Sequence, residues 1–270
     1  MSSEEPRQKK ARLESSSAPT SPQPKQEESV LDQLKNFTVI VADTGEFSLI
    51  QQFSPQDATT NPSLILKAAQ NKQYHSLIDS AVEYGLNYRE TNKGTSDSEL
   101  LELIMDKLSA NFGMEISKLI PGYVSIEVDA RLSFHTDATV RRAQNIIRLL
   151  EEMGVPKSRV LIKIAATYEG IMAGKQLQEQ GIRCNLTLVF SLIQAALCAE
   201  NHITLISPFV GRILDWFKAK TGQAYDASTD PGVLSVKKIY QYFKKFNYQT
   251  IVMGKPALFL DSPTFLIFSC

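Results

Sequence analysis

From Val30 onward, short runs of apolar and β-branched residues alternate with longer amphipathic stretches. Apolar runs of about four to eight residues are typical of buried strands, whereas apolar residues spaced three or four apart are typical of helices. The pattern predicts helices between the strands after the second, including residues 74–88, 98–119 and 140–153. It predicts seven strands, at residues 37–43, 57–60, 122–130, 159–166, 183–189, 203–209 and 248–253.

Repeated strand–helix units of this kind predict a mainly parallel sheet with helices outside it. The number of units, and a length close to the roughly 250 residues typical of such barrels, favour a (β/α)8 barrel over an open, doubly wound sheet. An open dinucleotide-binding sheet is disfavoured because no G-x-G-x-x-G follows any predicted strand. We therefore expect an α/β barrel of the TIM type over residues 29–254.

The first 28 residues have a different composition, rich in Ser, Pro, Glu, Gln and Lys, and we expect a disordered arm. The arm contains the basic cluster R-Q-K-K-A-R at 7–12. Such a cluster can direct a protein to the nucleus, although short basic clusters also occur by chance. With no signal peptide predicted, we expect a cytoplasmic protein, with the nucleus as an additional location.

Composition argues against several classes of function. The chain has 29 basic and 29 acidic residues, so no excess positive charge points to nucleic acid or to an anionic membrane. No apolar run reaches the 18 or so residues that cross a bilayer. Three cysteines without a C-x-x-C pair predict a reducing compartment and no disulfide or zinc framework. Three scattered histidines predict neither a metal site nor a Ser-His-Asp triad.

A lysine interrupts the apolar run of the fourth predicted strand, R-V-L-I-K-I-A-A-T at 159–167. Burial disfavours the charged form of an amine and so favours the neutral nucleophile that forms a Schiff base with a carbonyl compound. The alternative is that Lys163 ends an edge strand and extends its ammonium group into water. Polar residues on the neighbouring strands bear on this choice.

These polar residues recur near the carboxyl ends of the predicted strands. Glu127 alternates with apolar neighbours in the third strand, Asn185 and Thr187 share one face of the fifth, and Asp43 ends the first. A barrel collects the carboxyl ends of its strands at one mouth, where its active site forms. The pattern therefore favours an active site that contains Lys163.

Several longer runs resemble the transaldolase family, the class I Schiff-base enzymes of the non-oxidative pentose phosphate pathway. The runs spread over most of the chain, and the α/β barrel of that family agrees with the fold predicted above. The matching runs are V-A-D-T-G at 41–45, D-A-T-T-N-P-S-L at 57–64, E-V-D-A-R-L at 127–132, L-I-K at 161–163, N-L-T-L at 185–188, S-P-F-V-G-R-I-L-D-W at 207–216 and V-M-G at 252–254.

The resemblance implies catalytic roles for four residues. Lys163 would form an imine with the C2 carbonyl of a ketose phosphate, whose protonated form is an electron sink when the C3–C4 bond breaks. Asp43 would take the proton from the C4 hydroxyl and later return one to the acceptor aldehyde. Glu127 and Thr187 would hold a water that relays protons. No metal or organic cofactor is implied.

The resemblance also implies substrate-binding roles. Asn61 and Asn185 would hydrogen-bond the dihydroxyacetone unit with Ser207 nearby, and the guanidinium fork of Arg212 would bind phosphate. For Arg212 the alternative is a structural cap or ion pair. For Asn185 and Ser207 the alternative is that they satisfy buried backbone groups. The expected partners are sugar phosphates and, as in many members of the family, a second copy of the chain.

The resemblance ends after Gly254. Members of the family continue with an A-S-F-R-N segment that completes the phosphate site, then an eighth strand and C-terminal helices. Residues 255–270 form an apolar tail instead, and its ten or so residues before a strand at 264–268 are too few for a parallel crossover. An antiparallel hairpin strand is the alternative, although it would mismatch the edge of the first strand. We expect an incomplete barrel with an open seam and an exposed, aggregation-prone tail.

The leading hypothesis is therefore a transaldolase that moves a dihydroxyacetone unit from sedoheptulose 7-phosphate to glyceraldehyde 3-phosphate. One alternative keeps the Schiff-base lysine but carries out net cleavage, as a fructose 6-phosphate aldolase does. The other alternative is a catalytically inactive, truncated isoform.

Overall fold

The computed structural model describes residues 29–254 and the backbone of residues 265–269. Three short 3-10 helices, at Lys72–Tyr74, Ala130–Leu132 and Lys157–Arg159, join the longer elements. The strands are β1 Ile40–Asp43, β2 Asp57–Thr59, β3 Val124–Glu127, β4 Val160–Ala165, β5 Arg183–Val189, β6 Leu205–Pro208, β7 Ile251–Gly254 and β8 Phe265–Ser269. The α-helices are α1 Val30–Lys35, α2 Phe47–Phe53, α3 Pro62–Ala69, α4 His75–Thr91, α5 Asp97–Leu119, α6 Thr136–Glu152, α7 Tyr168–Glu179, α8 Leu192–Glu200, α9 Val210–Thr221 and α10 Pro231–Lys245.

The first seven strands follow one another around the barrel in chain order, and every neighbouring pair among them is parallel. Helices connect each strand to the next, on the outside of the sheet. The predicted fold class is confirmed: seven parallel strands form a barrel of the (β/α)8 type, and no eighth parallel strand follows β7 within the described ranges.

Side chains alternate between the two faces of this sheet, as the sequence pattern predicts. Ile126, Ile162 and Leu186 point outward into a core shared with the helices, where each is fully buried. Inside the barrel, a separate apolar cluster fills the lower layer and consists of Val41, Leu161, Leu205 and Met253. Three predicted site residues, Asp43, Lys163 and Ser207, therefore lie above an apolar floor, because each follows a residue of this cluster by two positions on the same strand.

Local sequence signals define several helix starts. Ser96 and Glu99 form a capping box at the start of α5, in which each side chain bonds the backbone N–H of the other residue. Asn61 caps α3 through a 3.0 Å bond from the N–H of Leu64 to its Oδ1, and Pro62 occupies the first turn. The start of α3 directly after β2 thus depends on the N-P pair in the sequence.

The predicted boundaries are wrong at the amino-terminal end of the barrel. Strand β1 begins at Ile40 rather than at Phe37, whose side chain is 82% exposed. Helices α1 and α2 were not predicted. Helix α1 has 6 residues and buries none of them, and α2 has 7 and buries only Ile50. Both are shorter than the window of about 11–18 residues over which helical periodicity is recognised.

The predicted open seam is also wrong, because β8 closes the barrel as an antiparallel strand. It pairs with β1 through Ile40 and Ile267 and with β7 through Gly254 and Ile267. Ten residues separate β7 from β8, which suits a hairpin and not a crossover. The expected mismatch with β1 does not arise, since an antiparallel ladder needs only alternating backbone N–H and C=O groups. The proposed arm at 1–28 and most of the tail lie outside the described residues.

The two described cysteines are buried thiols. Cys184 lies on β5 and Cys198 on α8, and neither forms a disulfide. Burial raises the pKa of Cys198 to about 12, so its thiol stays protonated and unreactive at neutral pH. Among the described side chains, no cluster of His, Cys, Asp and Glu is placed to hold a metal ion. Within the same ranges, every helix is too short or too polar to cross a membrane.

A buried carboxylate joins α5 to α6. Asp106 accepts hydrogen bonds from Arg142 Nη1 at 3.1 Å and from Asn145 Nδ2 at 3.0 Å. Arg142 also pairs with Glu102 at 2.9 Å. Burial raises the pKa of Asp106 to about 6, because desolvation outweighs the opposing effect of Arg142 and of both hydrogen bonds.

This raised pKa predicts that the fold loses stability as pH rises. In the folded chain Asp106 keeps its proton up to about pH 6. In the unfolded chain an aspartate loses its proton at about pH 3.9. The contribution is therefore present below pH about 4 and lost by pH about 7, by up to about 3 kcal/mol. Urea titrations of the wild type and Asp106→Asn should show the stability difference, variant minus wild type, rising by that amount between these pH values. Parallel pH curves would contradict the raised pKa.

Closure by β8 predicts that its backbone contributes to stability. Proline at position 267 removes an N–H from a strand that has neighbours on both sides, and proline is confined to edge strands and bulges. Ile267→Pro should therefore lower the melting temperature by several degrees in differential scanning calorimetry. Ile267→Val is the matched control and should melt close to the wild type. Equal melting of the proline variant would mean that β8 does not hold the barrel closed.

Candidate active site

Strand register brings the predicted residues together at the carboxyl-terminal mouth of the barrel. Glu127 on β3 is aligned with Lys163 on β4, which is aligned with Asn185 on β5. One layer higher, Thr187 on β5 is aligned with Ser207 on β6. Each of these residues lies on the strand face that points into the barrel, so four neighbouring strands contribute polar side chains to its interior near the mouth.

The amine of Lys163 is buried and has two acceptors. The residue is 7% exposed, which overturns the alternative of an edge lysine that reaches water. Its Nζ lies 3.2 Å from Glu127 Oε2 and donates to the backbone carbonyl of Thr60 at 3.2 Å. A buried ammonium is tolerated only when it is paired and hydrogen-bonded, and the two contacts meet that requirement.

Asn185 is the centre of a hydrogen-bonded chain beside the lysine. Its side chain is fully buried, its Nδ2 donates to Ser125 Oγ at 3.1 Å, and its Oδ1 accepts from Ser207 Oγ at 2.7 Å. The chain fixes which way the amide faces. Asn185 and Ser207 therefore bond each other's side chains rather than the backbone groups that the alternative hypothesis assigned to them.

Thr187 has unused hydrogen-bonding capacity. Its Oγ1 is buried and has no hydrogen-bond partner among the described residues. Such groups are uncommon in native proteins and are a reason to look for an unseen water or ligand.

The backbone after Thr187 is irregular. A bulge shifts the β5–β6 register between Thr187 and Val189, and Leu188 has a positive φ of 61°. A leucine in this region costs about 1–3 kcal/mol, and such strain is concentrated at functional sites. Gln194 secures the bulge, since its Nε2 donates to the carbonyls of Leu188 at 3.1 Å and Ala166 at 2.8 Å.

Asp43 and Asn61 lie at the mouth on the other side of the lysine. Asp43 is the last residue of β1, two positions after Val41, which packs inside the barrel. Asn61 follows β2 and is partly exposed. Because its Oδ1 is occupied by the helix cap described above, its amide N–H groups are the ones that can donate to a substrate.

Arg212 lies in the first turn of α9, four residues beyond the end of β6. Its side chain is exposed and lines an open pocket of about 320 Å3 with Phe190, Ile213, Trp216 and Phe217. The structure thus places Arg212 at the mouth but outside the buried cluster around Lys163. A guanidinium at this rim can reach an anion that extends out of the barrel.

A family model matches most of the chain. The model described as "Transaldolase/Fructose-6-phosphate aldolase" covers residues 40–257. The chain belongs to this family.

Individual relatives in the transaldolase/fructose-6-phosphate aldolase family are highly similar. A transaldolase from Saccharomyces cerevisiae is 59% identical over 226 residues, which cover 83% of this chain and 66% of that protein. Transaldolases from Sus scrofa and Homo sapiens are 59% and 57% identical over 229 residues, which cover 84% of this chain and 66% of each relative. The chain therefore spans less than two thirds of the length of these relatives.

Two residues that the sequence reading missed contact the site directly. Ser125 faces the barrel two positions before Glu127 and bonds Asn185, as noted above. The same alternation that pointed to Glu127 also indicates Ser125, so this residue could have been found. Thr60 contacts Lys163 through its backbone carbonyl, and no side-chain pattern reveals such a contact.

A second described cavity lies at the opposite end of the barrel and contains none of the predicted site residues. It measures about 610 Å3 and is lined by residues near the strand starts, including Asp57, Tyr123, Arg159 and Thr250. Burial raises the pKa of Asp57, opposed by a hydrogen bond from the Tyr123 N–H and by the charge of Arg159. In barrels of this type the amino-terminal face contributes to stability, whereas active sites lie at the carboxyl-terminal face.

The unused hydroxyl of Thr187 generates a stability prediction. Removing a buried hydroxyl without a described partner breaks no described hydrogen bond. The free energy of unfolding of Thr187→Val should therefore equal that of the wild type or exceed it slightly. Thr250→Val is the matched control, since its Oγ1 donates to the carbonyl of Ile203 at 2.8 Å. The control should lose about 1 kcal/mol in urea unfolding. A loss of this size in Thr187→Val would mean that the hydroxyl has a structural partner.

Proposed function

We propose that this chain is a Schiff-base transaldolase. The single observation that carries the proposal is a buried lysine, Lys163, held between a carboxylate and a carbonyl at the mouth of the barrel. Family membership supports it, as do the names of the relatives described above. The proposed reaction moves a three-carbon dihydroxyacetone unit from sedoheptulose 7-phosphate to glyceraldehyde 3-phosphate, giving erythrose 4-phosphate and fructose 6-phosphate.

The first step is imine formation at Lys163. The neutral amine adds to the C2 carbonyl of the ketose phosphate, a C–N bond forms, and the carbonyl oxygen leaves as water. Protons must move between nitrogen and oxygen during this step. Glu127 lies 3.2 Å from the amine and is placed to act as the general base and general acid of this step. The free hydroxyl of Thr187 supports a bound water that shares this proton transfer.

The second step breaks the C3–C4 bond. Asp43 takes the proton of the C4 hydroxyl, a C4 aldehyde forms, and the bonding electrons pass into the iminium to leave an enamine on Lys163. The aldehyde product departs. When the acceptor aldehyde binds, the enamine attacks its carbonyl carbon and the carboxyl group of Asp43 returns a proton to the new alkoxide. Hydrolysis of the resulting imine releases the product ketose.

The remaining residues bind the substrate. Asn61, Asn185 and Ser207 are proposed to hold the hydroxyls of the dihydroxyacetone unit, and Arg212 the phosphate at the rim. The buried hydrogen bonds of Asn185 pre-orient it for this role at little entropic cost. The proposal keeps the homodimer that the resemblance implies. It also keeps the cytoplasmic location, with the nucleus as an additional one, that the amino-terminal sequence predicts.

A second candidate function is net aldol cleavage of fructose 6-phosphate. The description of the family model that matches residues 40–257 names both activities, which is the observation in its favour. The two reactions share every step up to the enamine. They differ in what happens next. In the lyase the enamine is protonated and water then hydrolyses the imine, which releases free dihydroxyacetone and the amine of Lys163. In the transaldolase an acceptor aldehyde captures the three-carbon unit first.

Borohydride trapping tests the proposal. The protein is incubated with fructose 6-phosphate, reduced, digested and read by mass spectrometry. We expect a reduced three-carbon adduct on the peptide that contains Lys163, and one equivalent of released glyceraldehyde 3-phosphate per chain. Lys163→Met is the matched control, because methionine keeps the volume of the side chain and removes the amine. It should give no adduct.

The outcomes separate the three functional hypotheses. Turnover that needs an added acceptor aldehyde supports the transaldolase. Continuous release of dihydroxyacetone without acceptor identifies the lyase and contradicts the main proposal. If the folded protein forms no adduct, both enzymatic hypotheses are wrong and the catalytically inactive form is the remaining hypothesis.

A further inference from the structure

Two groups of the protein hold the amine of Lys163 from one side. Its Nζ donates a hydrogen bond to the carbonyl of Thr60 at 3.2 Å. The carboxylate of Glu127 forms an ion pair with it, with 3.2 Å between Nζ and Oε2. These acceptors belong to the ends of β2 and β3, which lie on the same side of β4 in the barrel.

The side of the amine away from β2 and β3 therefore faces β5 and the open mouth. In the neutral amine, the hydrogen bond to the Thr60 carbonyl keeps one N–H on the β2 side, which leaves the lone pair able to face the mouth. The addition step needs a lone pair that faces the substrate carbonyl. A nucleophile held in this orientation reacts faster, because less entropy is lost on reaching the transition state. The Thr60 carbonyl thus affects reactivity by orienting the amine of Lys163. This effect differs from the stabilisation of the ammonium charge by Glu127.

The position of this carbonyl is fixed from both sides. Before it, the hydroxyl and the N–H of Thr60 both donate to the backbone carbonyl of Ser125 at 3.0 Å, which ties the end of β2 to β3. After it, Asn61 caps α3 and Pro62 restricts the chain. Thr60 is 1% exposed, so its hydroxyl has no alternative partner in water.

We propose that Thr60 is a positioning residue for the Schiff-base lysine: its hydroxyl holds its own carbonyl in the place that orients the lone pair of Lys163. The proposal rests on the proposed function in assigning Lys163 as the nucleophile. It goes further in naming a residue that touches neither substrate nor product. The hydroxyl acts through the backbone, so valine removes the effect and serine preserves it.

The test compares Thr60→Val with Thr60→Ser and with Thr139→Val. Thr139 is the matched control, because it is equally buried and its Oγ1 donates to the carbonyl of Leu132 at 3.0 Å on the outside of the barrel. Both valine variants lose one buried hydroxyl bond and should melt at similar temperatures. Only Thr60→Val should react more slowly at Lys163.

Two probes of Lys163 are used. The first is acetylacetone, which needs no sugar-phosphate recognition: the amine adds to one carbonyl, water leaves, and the enaminone product is followed by its absorbance, with Lys163→Met as the baseline. The second is borohydride trapping with fructose 6-phosphate. For Thr60→Val we expect both rate constants to fall about tenfold with little change in the half-saturating ketose concentration. Thr60→Ser and Thr139→Val should stay within about twofold of the wild type.

Each outcome supports or overturns the positioning role of Thr60. If the wild type forms the enaminone but no ketose adduct, the proposed transaldolase activity is wrong. The positioning role of Thr60 is then decided by the acetylacetone rates alone. Equal acetylacetone rates in Thr60→Val and the wild type overturn the positioning role. The role is also overturned if serine does not rescue the rate, if Thr139→Val is slowed as much, or if the wild type forms no enaminone at Lys163.

Discussion

A buried amine can stay in a protein interior only where acceptors are already in place, and this constraint governs the upper half of the barrel. Desolvating an ammonium group is costly unless it is paired and hydrogen-bonded. Lys163 meets the requirement with the carboxylate of Glu127 and the carbonyl of Thr60. Both acceptors come from other strands, so the parallel register of β2, β3 and β4 is a condition for keeping the lysine inside.

The polar layer above the apolar floor is divided between satisfied and unsatisfied groups. Asn185 bonds both Ser125 and Ser207, and the three side chains form a chain along the wall of the barrel. Thr187 has no such partner, although it lies next to this chain on β5. A wall of bonded groups beside the unpartnered hydroxyls of Thr187 and Thr59 suits a site that must hold its shape and still offer a place to a water or substrate.

The closing strand shows that barrel closure depends on backbone groups more than on strand direction. Strand β8 runs against its neighbours and still pairs with both β1 and β7. The short link before it was read correctly from the sequence as too short for a parallel crossover. The conclusion that the seam must then stay open was wrong, because the edge of β1 presents backbone N–H and C=O groups that accept an antiparallel partner equally well.

The sequence by itself determined the seven parallel strands, the inward face of each and the position of the lysine, because apolar periodicity is a local property that a fold preserves. The N-P pair after β2 and the capping box of α5 were likewise readable, since caps act within one turn. Only the tertiary structure decided which acceptors reach Lys163, that Arg212 lies at the rim, and that the pKa of Asp106 is raised to about 6. Burial and the position of a backbone carbonyl arise from contacts between distant segments, and a backbone carbonyl is the same group in every residue. No residue pattern could have pointed to the one at Thr60.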